Sequence, residues 1–132
     1  PYKLAISLNA PNDEIRKKIM PLTINNPIKE LIKSAEYYYS KLKRFVTFEY
    51  VLLEEINDSE ACAYELMDLL KGIPCKLNLI PYNEIGGKFS RPKSQSIDAF
   101  INALKNAPFT VTVRWSKGTK IDAGCGQLAV KN

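Results

Sequence analysis

The sequence predicts an α/β fold built on a parallel sheet, and three observations carry that expectation. Short apolar, β-branched segments alternate with stretches whose apolar residues recur at helical spacing, in the order strand, helices, strand, helix, strand, helix, strand. The strand segments read as near-continuous apolar runs, as strands covered on both faces do. Each strand and helix together is about one barrel unit long, so four parallel strands joined by right-handed crossovers look like part of a barrel.

The elements follow in order. Lys3 to Leu8 is a short apolar run that stops at the turn chemistry of Asn9-Ala10-Pro11-Asn12-Asp13, and it reads as a buried strand. Asn12 or Asp13 caps a short helix that runs to Met20 and is ended by Pro21. Asn26-Pro27 opens a longer helix with proline at its first position, and Ile28, Leu31, Ile32, Ala35, Tyr39 and Leu42 form its inward face. Phe45 to Leu53 carries the strongest strand signal. Asn57-Asp58-Ser59 caps a helix bearing Ala61, Leu66, Leu69 and Leu70, which stops at Gly72. Leu77 to Ile80 is the next strand. After a long loop, Ser94 or Ser96 caps a helix bearing Ile97, Phe100, Ile101 and Leu104, and Phe109 to Trp115 forms a last strand before an irregular tail.

Composition narrows the function. The 132 residues, 45% hydrophobic and 25% charged, suit one domain with a modest core. No apolar run approaches the roughly 20 residues of a membrane span, and the first residues lack a secretory pattern, so a cytoplasmic protein is expected. The chain has no histidine, which excludes serine-histidine and cysteine-histidine catalysis and histidine-ligated metals within it. Three cysteines at irregular spacing argue against a disulfide framework. A net charge of +5 allows a polyanionic partner, although clusters such as Arg16-Lys17-Lys18 and Lys41 to Arg44 also read as solvated helix faces.

In parallel sheets functional groups gather beyond the carboxyl ends of the strands, which nominates Ser7 to Asn9, the end of Tyr50 to Leu53, Asn83 and the tail after Arg114. Asn9 and Asn83 suit either a ligand or a turn, because a carboxamide both donates and accepts. Asn78, inside an apolar strand, reads as a satisfied core amide. Cys62 and Cys75 read as small apolar core residues. Cys125 differs, since Gly124 and Gly126 leave its sulfur without bulky neighbours and permit close approach of a substrate. No base is identifiable beside it.

Further ordered segments complete a pattern: Leu4 to Asp13, Met20-Pro21, Val46-Thr47-Phe48-Glu49-Tyr50-Val51-Leu52-Leu53, Asn57-Asp58-Ser59, Asn78-Leu79-Ile80-Pro81-Tyr82-Asn83, Val111-Thr112-Val113-Arg114 and Ile121-Asp122-Ala123-Gly124-Cys125-Gly126-Gln127-Leu128. Together they resemble the C-terminal part of the radical S-adenosylmethionine enzymes that methylate carbon 2 of adenosine in 23S ribosomal RNA and transfer RNA. The resemblance runs almost end to end. It implies that residues 1–132 are the C-terminal part of the radical S-adenosylmethionine methyltransferase domain, with the last three strands of a partial (β/α) barrel and a C-terminal extension.

The resemblance also implies roles. Ser7, Leu8 and Asn9 correspond to the family's serine-leucine-histidine cofactor segment, with asparagine in place of histidine, and Asn83 corresponds to a second cofactor contact. Cys125 corresponds to the cysteine that is first methylated and then, as a carbon radical, delivers the methyl carbon to adenine. The implied cofactors are S-adenosylmethionine and a 4Fe-4S cluster, whose three-cysteine run this sequence lacks, so no metal ligand is expected in it. The implied partners are 23S ribosomal RNA, transfer RNA, the missing N-terminal half and an electron donor such as flavodoxin, with no membrane, and the chain alone is expected to be inactive. Two other readings stand beside this one: a non-catalytic RNA-binding α/β domain, or another radical enzyme of the same cofactor.

Overall fold

The computed structural model describes residues 3–21, 25–84 and 86–115. Among them are four strands, β1 (Ala5–Ser7), β2 (Val46–Leu52), β3 (Cys75–Pro81) and β4 (Thr110–Val113), and four helices, α1 (Asp13–Ile19), α2 (Ile28–Leu42), α3 (Glu60–Leu70) and α4 (Ser94–Ala103). The strands form one parallel sheet in the order β1-β2-β3-β4. The α/β class and the parallel sheet expected from the sequence are therefore present.

The sheet is wound in one direction, and α2, α3 and α4 share one face, while Ile19 at the end of α1 packs with Val51, Leu53 and Ile80 at the carboxyl ends of the strands. Val46, Phe48, Tyr50 and Leu52 of β2 and Cys75, Leu77 and Leu79 of β3 meet Ile28, Leu31 and Ala35 of α2, Leu66 and Leu70 of α3, and Ile97 and Phe100 of α4. Tyr50 and Phe100 tilt against each other with ring centroids 5.4 Å apart. Because alternate residues of a strand face opposite ways, Ser7, Glu49, Asn78 and Thr112, which lie side by side in the register, occupy the helix-free face. A parallel sheet with helices on one side and polar side chains on the other is an arc of a barrel wall.

Local chemistry sets the helix ends. The side chain of Asn12 caps α1 by accepting from the Ile15 N–H at 2.9 Å, and Ser59 caps α3 by accepting from Cys62 at 3.1 Å. Pro27 is the N-cap of α2, one position before the expected proline at the first helical turn, and Lys93 begins α4 without a side-chain cap, so neither Ser94 nor Ser96 fills that role. Tyr39 and Leu42, expected inward, are 37% and 56% exposed: β1 is only three residues long and leaves the sheet edge beneath this last turn uncovered. Tyr39 packs instead on Phe45, with ring centroids 5.5 Å apart.

Lys43 ends α2 in the left-handed region at φ 55°, with its N–H donating to Tyr39 O at 2.8 Å. A Cβ is unfavourable there, so Lys43→Gly raises stability by about 0.5–1 kcal/mol, measured by equilibrium denaturant unfolding.

Candidate cofactor site

The carboxyl edge of the sheet begins at β1, where a buried arginine holds the chain. Arg16 is 4% exposed and donates through Nε to Leu8 O (3.1 Å), through Nη2 to Ser7 O (3.1 Å) and through Nη1 to Asn26 O (2.9 Å). Burial lowers its pKa, partly opposed by the neighbouring Asp13 carboxylate, which itself accepts from Ile28 N at 2.9 Å. By sequence Arg16 groups with Lys17 and Lys18 as a basic cluster that reads as a solvated helix face or a contact for a polyanion. That expectation fails for Arg16 because the guanidinium fork can satisfy three carbonyls that converge where β1, α1 and the start of α2 meet. Arg16→Met keeps the apolar stem but strands those carbonyls, and it lowers stability by about 3 kcal/mol in equilibrium unfolding.

The next residues form a second tie. Asn9 is 4% exposed and sits in the left-handed region at φ 62°, which asparagine tolerates better than most residues. Its Oδ1 accepts from Val51 N at 2.8 Å and its Nδ2 donates to Met20 Sδ at 3.3 Å. Asn57, fully buried, donates through Nδ2 to Asn9 O and to Val51 O, each at 2.8 Å, and accepts from Leu53 N at 2.8 Å. Tyr50 Oη donates to Asn57 O at 2.7 Å, and burial pushes that phenol's pKa up, so it remains a donor. Two asparagines thus weld the turn after β1 to the end of β2.

Among the expected cofactor residues, Ser7 is half-buried at the end of β1 on the helix-free face. Leu8 is wholly in the core, its N–H donating to Glu49 O at 2.9 Å and its carbonyl held by Arg16. Its effect on a ligand would run through the shape of the turn. Asn83 lies past the end of β3, half-buried, with its Oδ1 accepting from Arg91 Nη1 at 2.9 Å. The ladder continues one step beyond β4, where Arg114 N donates to Leu79 O at 2.8 Å and brings this arginine to the same end. Cys125 lies outside the described residues.

Glu49 is not among the strand-end residues that the parallel-sheet rule nominates. It lies in the middle of β2, is fully buried, and neither carboxylate oxygen has a hydrogen-bond partner. Burial raises its pKa, while Arg114 and Asn78 pull it back. The signal was visible in the sequence as one acidic residue inside Phe48-Glu49-Tyr50-Val51-Leu52, a run otherwise read as apolar on both faces. Asn78, expected as a core amide, is half-buried on the helix-free face, with its Oδ1 accepting from Thr112 Oγ1 at 3.0 Å and its side chain near enough to Glu49 to favour the charged form.

The polar groups at this edge and beside it suit a small polar ligand such as S-adenosylmethionine: a hydroxyl at Ser7, a carboxamide at Asn83 and, in the middle of β2 but level with Ser7, the carboxylate of Glu49. A cluster is another matter. Among the described residues no three His, Cys, Asp or Glu side chains converge on a metal position. Cys62 and Cys75 are buried free thiols in the helix-side core, as expected, and burial pushes Cys75 up to about 11. They do not fit an iron-sulfur cluster, and no chemistry of one is assigned to them. Among the described residues no helix is long and apolar enough to cross a membrane.

No family model matches the sequence. A protein of Alkaliphilus oremlandii named "Probable dual-specificity RNA methyltransferase RlmN" is 47% identical over 133 residues, which covers 100% of this chain and 39% of that protein. A protein of the same name from Flavobacterium johnsoniae is 47% identical over 131 residues, 98% of this chain and 38% of that one. The chain therefore spans under two-fifths of the length of these curated relatives. Among solved structures, a radical SAM methyltransferase from Sphaerobacter thermophilus superposes with a TM-score of 0.85 at 46% identity, covering 95% of this chain and 37% of that one. The chain belongs, as a C-terminal portion, to the family of proteins named dual-specificity RNA methyltransferase RlmN.

Proposed function

We propose that the complete protein carrying this segment transfers a methyl group from S-adenosylmethionine to carbon 2 of adenosine in 23S ribosomal RNA and transfer RNA, with Cys125 as the methyl carrier. The observation that supports this most strongly is the identity of 47% along the whole chain, combined with Ser7, Asn9 and Asn83 lying at one carboxyl edge of the sheet. When bound, S-adenosylmethionine supplies an electrophilic methyl group.

Ser7 and Asn83 offer it a hydroxyl and a carboxamide, and the Asn9–Asn57 tie fixes the turn on which it rests. The Cys125 thiolate is the natural acceptor of the methyl group, because thiolate is the strongest nucleophile the chain contains. Carbon 2 of adenine is a poor nucleophile, which is why a carrier is needed at all. The net charge of +5 suits an RNA partner in the cytoplasm. The cluster, and an electron donor such as flavodoxin, are assigned by resemblance to the part of the enzyme outside this chain.

The test is direct. The complete protein is incubated with S-adenosylmethionine, a reductant and either RNA, and the digested RNA is analysed by mass spectrometry for 2-methyladenosine. Methylation at another atom, or salt-dependent RNA binding without cofactor binding, overturns the reading, the latter in favour of a non-catalytic RNA-binding domain.

A further inference from the structure

We infer that Glu49 accepts hydrogen bonds from the ribose hydroxyls of the bound S-adenosylmethionine, from inside the barrel arc; this rests on the proposed function. Three observations lead there. Glu49 is aligned with Ser7 in the β1–β2 register, so it stands at the same depth as the serine of the cofactor segment and faces the same side of the sheet. Both of its oxygens are shut off from solvent and neither has a partner. Its neighbours Asn78 and Arg114 stand near enough to favour its charged form, but among the described residues neither meets it in a well-formed hydrogen bond or ion pair.

A buried, unsatisfied carboxylate is costly, and a fold retains one where a ligand completes it. The missing partner must bring donors. Two adjacent acceptor oxygens match two adjacent hydroxyls, the pairing by which an acidic residue beyond a parallel strand holds a ribose in dinucleotide-binding folds. The net positive charge of S-adenosylmethionine adds attraction at a site this poorly solvated.

The role makes ligand binding and stability move in opposite directions. Glu49→Gln removes the charge that burial disfavours, so the substitution does not lower the melting temperature. It also removes a charged acceptor, so it weakens ligand binding by about tenfold or more. The experiment measures, by titration calorimetry on the complete protein, the binding of S-adenosylhomocysteine and of its 2′-deoxyribose analogue, alongside thermal unfolding.

The expected result is a loss of about tenfold or more for S-adenosylhomocysteine in Glu49→Gln, a much smaller loss for the analogue, and unchanged or raised thermal stability. Unchanged binding of S-adenosylhomocysteine by Glu49→Gln overturns the inference and leaves the proposed function standing. An equal loss for both ligands also overturns it, and if the melting temperature falls as well, Glu49 is structural. Failure of the unsubstituted protein to bind S-adenosylhomocysteine overturns the inference and the proposed function together.

Discussion

On the proposed function, Cys125→Ala is expected to lower RNA methylation by the complete protein to below about one thousandth of its normal rate while leaving cofactor binding within about twofold, because the proposed methyl carrier is lost and the proposed cofactor residues are kept. The three cysteines make the comparison internal. Cys62 and Cys75 are 8% and 1% exposed, packed among apolar side chains, and the Cys75 thiol, pushed up to about 11, is almost wholly protonated at neutral pH. Both sulfurs lie in the helix-side core, away from the face that carries Ser7 and Glu49. Cys62→Ala and Cys75→Ala therefore cost on the order of 1 kcal/mol of stability and leave turnover per folded molecule unchanged. The readouts are the yield of 2-methyladenosine and the equilibrium binding of S-adenosylhomocysteine. Normal turnover by Cys125→Ala would sink its assignment as carrier, whatever happens at the other two cysteines.

Much of the fold was legible because hydrophobic periodicity reports it directly. Val46 to Leu52 and Cys75 to Pro81 are apolar enough to announce buried parallel strands, and the caps at Asn12 and Ser59 follow from side chains that accept from backbone N–H groups at the right offset. What was not legible depends on partners far away in sequence. Arg16 looks like Lys17 and Lys18 in a list of charges, and only the convergence of Ser7, Leu8 and Asn26 carbonyls around one guanidinium separates it from them. The buried role of Asn57 is similar, since it looks like one more cap residue until it is seen between Asn9 and Val51.

The site itself was partly legible. Ser7 and Asn83 lie at the carboxyl edge where the parallel-sheet rule placed them, but the rule does not say which way a side chain faces. Asn9 shows the difference. Its Oδ1 and Nδ2 are both engaged within the protein, with Val51 N and Met20 Sδ, so its first role in this structure is to hold the turn. Asparagine suits that role because it tolerates the positive φ and accepts from the Val51 N–H.

That turn is the weak point of the whole edge, and Asn57→Leu exposes it. Leucine fills nearly the same space but provides none of the three hydrogen bonds, leaving the Leu53 N–H and the carbonyls of Asn9 and Val51 without partners in a site closed to water. At about 1–3 kcal/mol for each stranded group, partly offset by the added apolar burial, the loss comes to roughly 4 kcal/mol in denaturant unfolding. Asn57→Asp separates the contributions. It restores the acceptor for Leu53 but points a carboxylate at two carbonyls, so at neutral pH it is no better than leucine. Protonation returns one donor, and because burial makes the protonated form the favoured one in the folded state, the aspartate variant gains stability relative to the leucine variant as pH falls through its raised folded-state pKa toward that of the unfolded chain, over and above the gain that the raised carboxyls of Glu49 and Asp58 give to both. If stability of the two variants ran parallel across that range, the carboxamide hydrogen bonds would not be what holds the β1 turn against β2, and the cofactor segment would need another anchor.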